Sequence, residues 1–588
     1  MNMERDYTRS GRLHRVFWGV RDELPRMGLP GSRSALLHQD FPDSASGAEG
    51  AALGDVHRRT VAKLRTLFSL RWLGTIGALL IALGGLGAGA LPVVGNPYES
   101  LPFGSLMTRM LQAASALVFI GVGLMVTAWL CMAPLVGAPL RLGTNAPTQS
   151  PASTRNADPR FSHSPRVVTQ SQMWRTWLGW VLPLLVTAPL FTQDIYSYLA
   201  NGSIVMQGLD PYSAGPVELL GADNELARSV PFIWANSPSP YGPVALGLAA
   251  VVSWLTSDSI IWGVVLHRVV SLVGIIAAGW AIARLAARCR VSPEAALWLG
   301  ILNPLTILHL VGGIHNESLM LGLALVGVEL GLRAVNDDYT ARWQGWALFL
   351  ASGVLISCAG MVKITGFIGL GFVGMAAARR LVEKHDIAPV RAVIGAGIVQ
   401  VCVLAVSIAA VTLITGIDIG WIFGQGGAAT IRSWLSATTS VGVGAGFLGM
   451  LLGLGDHTEA VLSVTRTVGV IIAAGFMIRM LFATYRGAIH PVGGLGVSTF
   501  VLVVFFPVVH PWYILWAVLP LAAWANRRLF RMAVMIYSGV MSFIVLPRGL
   551  GLPPGTIFSI YLAALVTFLV LAAVGWVALR RSGVRVLN

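Results

Sequence analysis

At 588 residues, 55% hydrophobic and 11% charged, with a mean hydropathy of +0.72, the chain departs from soluble domains, which carry about 25% charged residues. This is the composition of a polytopic membrane protein. The formal charge of +15 does not indicate nucleic acid, because the arginines gather in short segments between apolar runs, as cytoplasmic loops do under the positive-inside rule. Cys131, Cys289, Cys358 and Cys402 show no ligand spacing and make neither a disulfide framework nor a metal site.

Residues 1–70 are polar and arginine-rich. No short apolar core with a cleavage site follows the first charges, so they read as a mostly disordered cytoplasmic arm and not as a signal peptide. A short amphipathic piece near Val16–Val20 suits a membrane surface. Apolar runs of spanning length, about 20 residues, follow at 72–92, 113–136 and 174–191. Arg141, Arg155, Arg160 and Arg166 place the segment 139–173 in the cytoplasm, so the third span carries Asp194 to the far side. The loop that follows is acidic, with Asp194, Asp210, Glu218, Asp223 and Glu225.

Counting 241–256 as a span would push Arg284, Arg288 and Arg290 outside, so it is read as an interfacial helix on the outer face. Further spans are expected at 262–285, 294–311, 318–334, 344–361, 364–380, 392–415, 464–482, 494–509, 513–525, 530–546 and 556–580, with 421–456 as a second outer loop. The fold expected is all-α, with about 14 transmembrane helices and both termini cytoplasmic. Its domains are the arm 1–70 and a membrane domain 71–588, the latter carrying outer loops at 192–260 and 416–462.

This topology brings the polar clusters to one face. Asp194 stands where an apolar run ends; partial desolvation favours the neutral acid and raises a pKa, as a general base requires. Tyr196, Tyr198 and Asn201 follow it, then Asp210 and Tyr212, then Tyr241 in Pro240-Tyr241-Gly242-Pro243. His315, Asn316 and Glu317 form a short turn that serves equally as a polar hairpin or as a sugar or phosphate contact. His510, Trp512 and Tyr513 form another, read either as an interfacial aromatic belt or as a stacking site for a pyranose. Lys363 is an isolated cation on the side that disfavours positive charge, which calls for an anionic partner such as a lipid phosphate; snorkelling is the plain alternative. Arg432 is a weaker candidate of the same type.

Gly444-Ala445-Gly446-Phe447-Leu448-Gly449 matches a dinucleotide-binding pattern by letter, but no strand precedes it and no acid follows at the required distance. Its glycines read as helix-packing residues. His267, Arg268, His309 and Glu329 are read as lying toward helix ends, leaving helix centres without the ionisable groups expected of a coupled transporter. A transporter or flippase of a lipid-linked or small polar substrate is the alternative to an enzyme.

The ordered set Asp194-Ile195-Tyr196-Ser197-Tyr198, Gly208-Leu209-Asp210-Pro211-Tyr212, Ser239-Pro240-Tyr241-Gly242-Pro243 and His315-Asn316-Glu317 resembles the GT-C membrane glycosyltransferases. More closely, it is similar to the actinobacterial α-(1→6)-mannosyltransferases of lipomannan and lipoarabinomannan biosynthesis. The resemblance covers about 174–546. It implies a polyprenyl-phosphate mannose donor, a lipid-linked mannan acceptor, contact with membrane lipids, and a site on the outer face of the plasma membrane. It also implies that Asp194 is the base of an inverting displacement, with Lys363, and second Arg432, stabilising the leaving phosphate. The scheme requires no cofactor and leaves a divalent metal open.

Overall fold

The structure, a computed structural model, describes residues 48–137, 168–336, 342–424, 432–549 and 551–581. The arm piece at Val16–Val20 lies outside the described residues. Among the described residues the chain is helical throughout, with no strand. The helices of ten residues or more are α1 Ala48–Ala88, α2 Leu111–Met132, α3 Gln170–Val181, α4 Asp194–Met206, α5 Pro243–Thr256, α6 Ile260–Arg288, α7 Glu317–Asn336 and α8 Arg342–Gly360. They continue as α9 Ile368–His385, α10 Pro389–Thr415, α11 Ala437–Leu451, α12 Thr458–Tyr485, α13 Pro491–Phe505, α14 Leu515–Trp524, α15 Arg528–Ile544 and α16 Pro554–Arg581.

Nine of these, among the described residues, are long and apolar enough to cross a membrane: α1 from Val61, α2, α6, α7, α8, α9, α10, α12 and α16 up to Gly575. The other five expected spans are shorter or broken. Those at 494–509, 513–525 and 530–546 correspond to α13, α14 and α15, of 15, 10 and 17 residues. The expected span 174–191 divides into α3, a 3-10 turn Leu182–Val186 and extended chain, at a proline that removes a backbone donor. The expected span 294–311 divides into a short helix Pro293–Leu299 and a π-helix Thr306–Gly312. Its break falls at Asn303-Pro304, where the residue before proline disfavours helix. Asn303 occupies the gap, accepting from the Leu305 N–H at 3.0 Å and donating to Ser538 Oγ at 2.9 Å.

Two more expectations are corrected. Within the arm 1–70, expected to be mostly disordered, residues 48–70 belong to α1, which runs unbroken into the first span. Arg268 was read as lying near a helix end; it is fully buried within α6. Its guanidinium donates to the carbonyls of Leu185 at 2.8 Å, Thr187 at 2.9 Å, Ala188 at 3.4 Å and Gly312 at 3.5 Å. A single cation thus meets three carbonyls of the segment after Pro183 and shares Gly312 O with the Leu190 N–H, groups that are costly inside a membrane when unpaired. His309, read the same way, is fully buried in the π-helix.

The broken segments position the site. Residues 187–193 are tied on two sides, by Leu190 N–H to Gly312 O at 3.1 Å and Phe191 N–H to Pro547 O at 2.7 Å. Gly549, at φ +72°, makes that approach feasible, since a Cβ there would meet Phe191 O at 2.9 Å. Phe191 and Ile314 both adopt positive φ, 68° and 57°, a conformation disfavoured for a β-branched residue such as isoleucine. Such strain, held in place by surrounding structure, gathers at functional sites.

The core is packed by large side chains. Trp129 and Trp298 stack at 5.3 Å between centroids, and each indole N–H donates to the other's carbonyl, at 2.9 and 2.8 Å. The glycine-rich stretch 444–449 is part of α11, in keeping with its rejection as a dinucleotide loop. All four cysteines are free.

Candidate active site

Asp194 is the first residue of α4, where the helix dipole favours a carboxylate. Its Oδ1 accepts from the Trp234 indole N–H at 3.0 Å, and its Oδ2 lies 3.7 Å from His315 Nδ1. With 24% of the side chain exposed, the acid is fixed in orientation but open to a substrate. Trp234 comes from the short helix Phe232–Ala235, in the expected first outer loop. Sequence reasoning missed it, because one tryptophan in a loop carries no spacing signal.

Lys363 is not the isolated cation that its sequence context suggested. Its Nζ donates to Glu317 Oε1 at 2.6 Å and to the Tyr513 hydroxyl at 3.0 Å. It also lies 4.3 Å from the centre of the Tyr513 ring and 5.0 Å from that of Trp516, within cation–π range. Burial opposes its charge, but Glu317, Tyr513 and Tyr241 outweigh burial and raise its pKa above the ordinary lysine value. The ammonium can offer a third donor to a ligand, though its net charge is offset by Glu317. Its position is set by contact between chain segments. Gly242 lies against residue 361, where a Cβ would meet Met361 O at 2.2 Å, and the Val244 N–H reaches the same carbonyl at 3.3 Å.

Between these two groups lies a stack of rings. Trp512 stacks with His315 at 4.1 Å, His510 at 4.6 Å and His309 at 4.9 Å. Trp512 and Tyr513 are buried, which rules out the reading of this turn as an interfacial belt. Burial lowers the His315 pKa below the ordinary histidine value, with Glu317 and Asp194 pulling the other way. Burial likewise lowers His510 from 6.5 to about 4. His315 and His510 are therefore neutral at pH 7.

A histidine held neutral in the fold titrates lower than in the unfolded chain. Its contribution to stability is complete above the unfolded value of 6.5 and is lost as pH falls toward about 4. Thermal unfolding of the detergent-solubilised chain is expected to weaken over that interval, and His510→Gln to flatten the dependence. Parallel pH curves for the two proteins would show that His510 does not contribute.

The remaining candidates divide. Tyr198 and Tyr241 join the site, their hydroxyls 3.2 Å apart and close enough to Asp194 and Glu317 to feel both charges. Burial raises both tyrosine pKa values, so they act as neutral hydroxyls. Tyr196 does not face the site: it is buried, and its hydroxyl donates to Ala90 O at 2.8 Å. Asn201 is buried and turned back to Ser197 O at 2.7 Å. Asp210 caps its own turn, accepting the Tyr212 N–H at 2.8 Å, and Tyr212 donates to Tyr241 O at 3.0 Å. In these four, helix packing and turn chemistry engage polar groups that the sequence offered to a ligand. Asn316 contributes its carbonyl to the first turn of α7. Arg432 is exposed and pairs with Glu459 at the protein surface, so it does not supply charge to this cluster. Besides Trp234, sequence reasoning passed over His309 and Trp516 as ring partners. Among the described residues, no three His, Cys, Asp or Glu side chains are grouped to hold a metal.

Residues 71–379 match the family described as alpha-(1->6)-mannopyranosyltransferase, N-terminal domain, and residues 438–573 match the MptB C-terminal domain. The chain is 57% identical to alpha-(1->6)-mannopyranosyltransferase B of Corynebacterium glutamicum, over 95% of this chain and 92% of that one. It is 31% identical to alpha-(1->6)-mannopyranosyltransferase A of Mycobacterium tuberculosis, over 80% of this chain and 83% of that one. Among solved structures, an Archaeoglobus fulgidus oligosaccharyltransferase aligns with 64% of this chain and 49% of its own, at TM-score 0.33 and 13% identity, a likeness too loose to build on. By the match over residues 71–379 and the relative aligned at 57% identity over 95% of its length, the chain belongs to the alpha-(1->6)-mannopyranosyltransferase family.

Proposed function

We propose that this chain, a mannosyltransferase by family, moves mannose from polyprenyl-phosphate mannose to a lipid-linked mannan acceptor, forming an α-(1→6) bond with inversion at the anomeric carbon. The observation that carries the reading is the carboxylate of Asp194, oriented by Trp234 and partly open, in one cluster with the Lys363–Glu317 pair. In the reaction, the acceptor hydroxyl oxygen attacks the anomeric carbon and its proton passes to Asp194. The bond from that carbon to the phosphate oxygen breaks, and the lipid phosphate leaves with the electron pair. Lys363 offers its third donor to that oxygen. The neutral hydroxyls of Tyr198 and Tyr241 suit the hydroxyls of a pyranose. No step requires a metal. The higher identity to the B relative favours the B type. A transporter has no need of an acid oriented in this way, and family membership sets that alternative aside.

The test is transfer by the purified full-length protein from polyprenyl-phosphate mannose to a short α-(1→6)-mannoside, with the linkage of the product read by NMR. Absence of transfer, or a different linkage, overturns the reading. Sidedness has its own expected result. In a cysteine-free background, Phe232→Cys should react with an impermeant maleimide on intact cells, and Arg290→Cys only after permeabilisation. Both side chains are exposed, so the reverse pattern would place the site in the cytoplasm.

A further inference from the structure

At the opposite end of α6 from the acid cluster lies a cavity of about 720 Å³, between α3, α6 and Pro293, the first residue of the short helix Pro293–Leu299. Tyr198 packs near His267 in the first part of α6. Ala283, on the cavity wall, is about 24 Å further along, at about 1.5 Å per residue. The walls are apolar, formed by Trp174, Leu178, Ile276 and Trp280, with Arg175 and Arg284 at the edge. Arg284 lies 4.8 Å from the centre of the Trp280 ring, and Arg333 approaches the same ring at 5.9 Å. Arg333 is already paired with Glu329. Arg175 and Arg284 are exposed and, among the described residues, neither pairs with a carboxylate.

A groove that is apolar along its length and cationic at one end is complementary to one ligand chemistry above others. Leu178 and Ile276, which line the groove, are exposed on helix surfaces. In a membrane such a groove faces acyl chains. Guanidinium groups at its end, beside tryptophan rings, meet headgroups, where basic residues are drawn to anionic lipid. The first turn of α3 adds the positive end of a helix dipole on the same side. We propose that this cavity binds an anionic phospholipid of the surrounding bilayer. One acyl chain lies along Trp174, Leu178, Ile276 and Trp280, and the phosphate sits between Arg175 and Arg284. The site is remote from the acid cluster and does not depend on the donor or acceptor assigned above.

The experiment uses the purified full-length protein in neutral detergent, with phosphatidylglycerol or phosphatidylcholine added. Retained lipid is read by native mass spectrometry, and stabilisation by the shift in Tm. The wild type is expected to retain phosphatidylglycerol preferentially and to gain Tm with it. Arg175→Ala/Arg284→Ala is expected to lower that preference by about tenfold or more, since each basic residue contributes to attraction for anionic lipid. Arg175→Lys/Arg284→Lys keeps both charges, so it should keep most of the preference and guards against a folding defect in the alanine protein. Equal retention of the two lipids by the wild type would overturn the site. So would an unchanged preference in the alanine variant, or a loss in the lysine variant equal to that in the alanine variant.

Discussion

Asp194→Asn is expected to lower mannosyl transfer by about 10²–10⁴-fold, the usual contribution of a general base, with the protein still inserted and folded. The amide keeps the size of the side chain and its acceptor oxygen, so the 3.0 Å bond from Trp234 can persist. What it cannot do is accept a proton at neutral pH. The loss should therefore appear in kcat, with donor KM little changed. Trp234→Phe removes only the orienting bond and should cost less. The measurement is transfer to a short α-(1→6)-mannoside by the purified variant. Near-normal turnover would remove Asp194 from the chemistry and direct the search to other acids, Glu317 first.

The second large effect concerns the buried ion pair. Glu317 is 2% exposed, so Lys363→Met leaves a buried carboxylate without its cation. Breaking such a pair on one side destabilises by about 3–5 kcal/mol. The single variant is expected to lose both stability and transfer, which by itself cannot separate a structural lysine from a functional one. Lys363→Met/Glu317→Gln removes both charges and should recover most of the stability. If Lys363 stabilises the departing phosphate, the double variant melts near the wild-type Tm yet stays deficient in transfer. Recovery of both properties together would make the pair structural. Glu317→Gln alone frees the ammonium from its counter-charge and should strengthen donor binding, read as a lower KM for the lipid-linked sugar.

What the sequence determined by itself was the class of molecule and the clustering of its polar residues. Length of apolar run and placement of arginine are one-dimensional properties, so the long spans α6, α7, α8 and α10 were legible from them. The same arginine pattern implied that Asp194, His315, Lys363 and His510 share one end, and their side chains do converge. Partners were not legible. Whether Lys363 is free or neutralised depends on the Glu317 carboxylate 46 positions away in the chain, and whether Asp194 is oriented depends on Trp234, 40 positions away. Tyr196 and Asn201 follow the acid in the same helix, yet both are buried and their polar atoms donate to the carbonyls of Ala90 and Ser197, partners that packing decides. The broken spans beside the site were hidden for a related reason. Their apolar composition says helix, while side chains meet the carbonyls at the breaks: Thr306 Oγ1 donates to Gly300 O at 2.7 Å, and Arg268, from another helix, donates to the carbonyls of Leu185, Thr187 and Ala188. Composition follows from burial in lipid, which acts on each residue separately. Hydrogen bonds and ion pairs act between residues, and only the tertiary structure decides which ones meet.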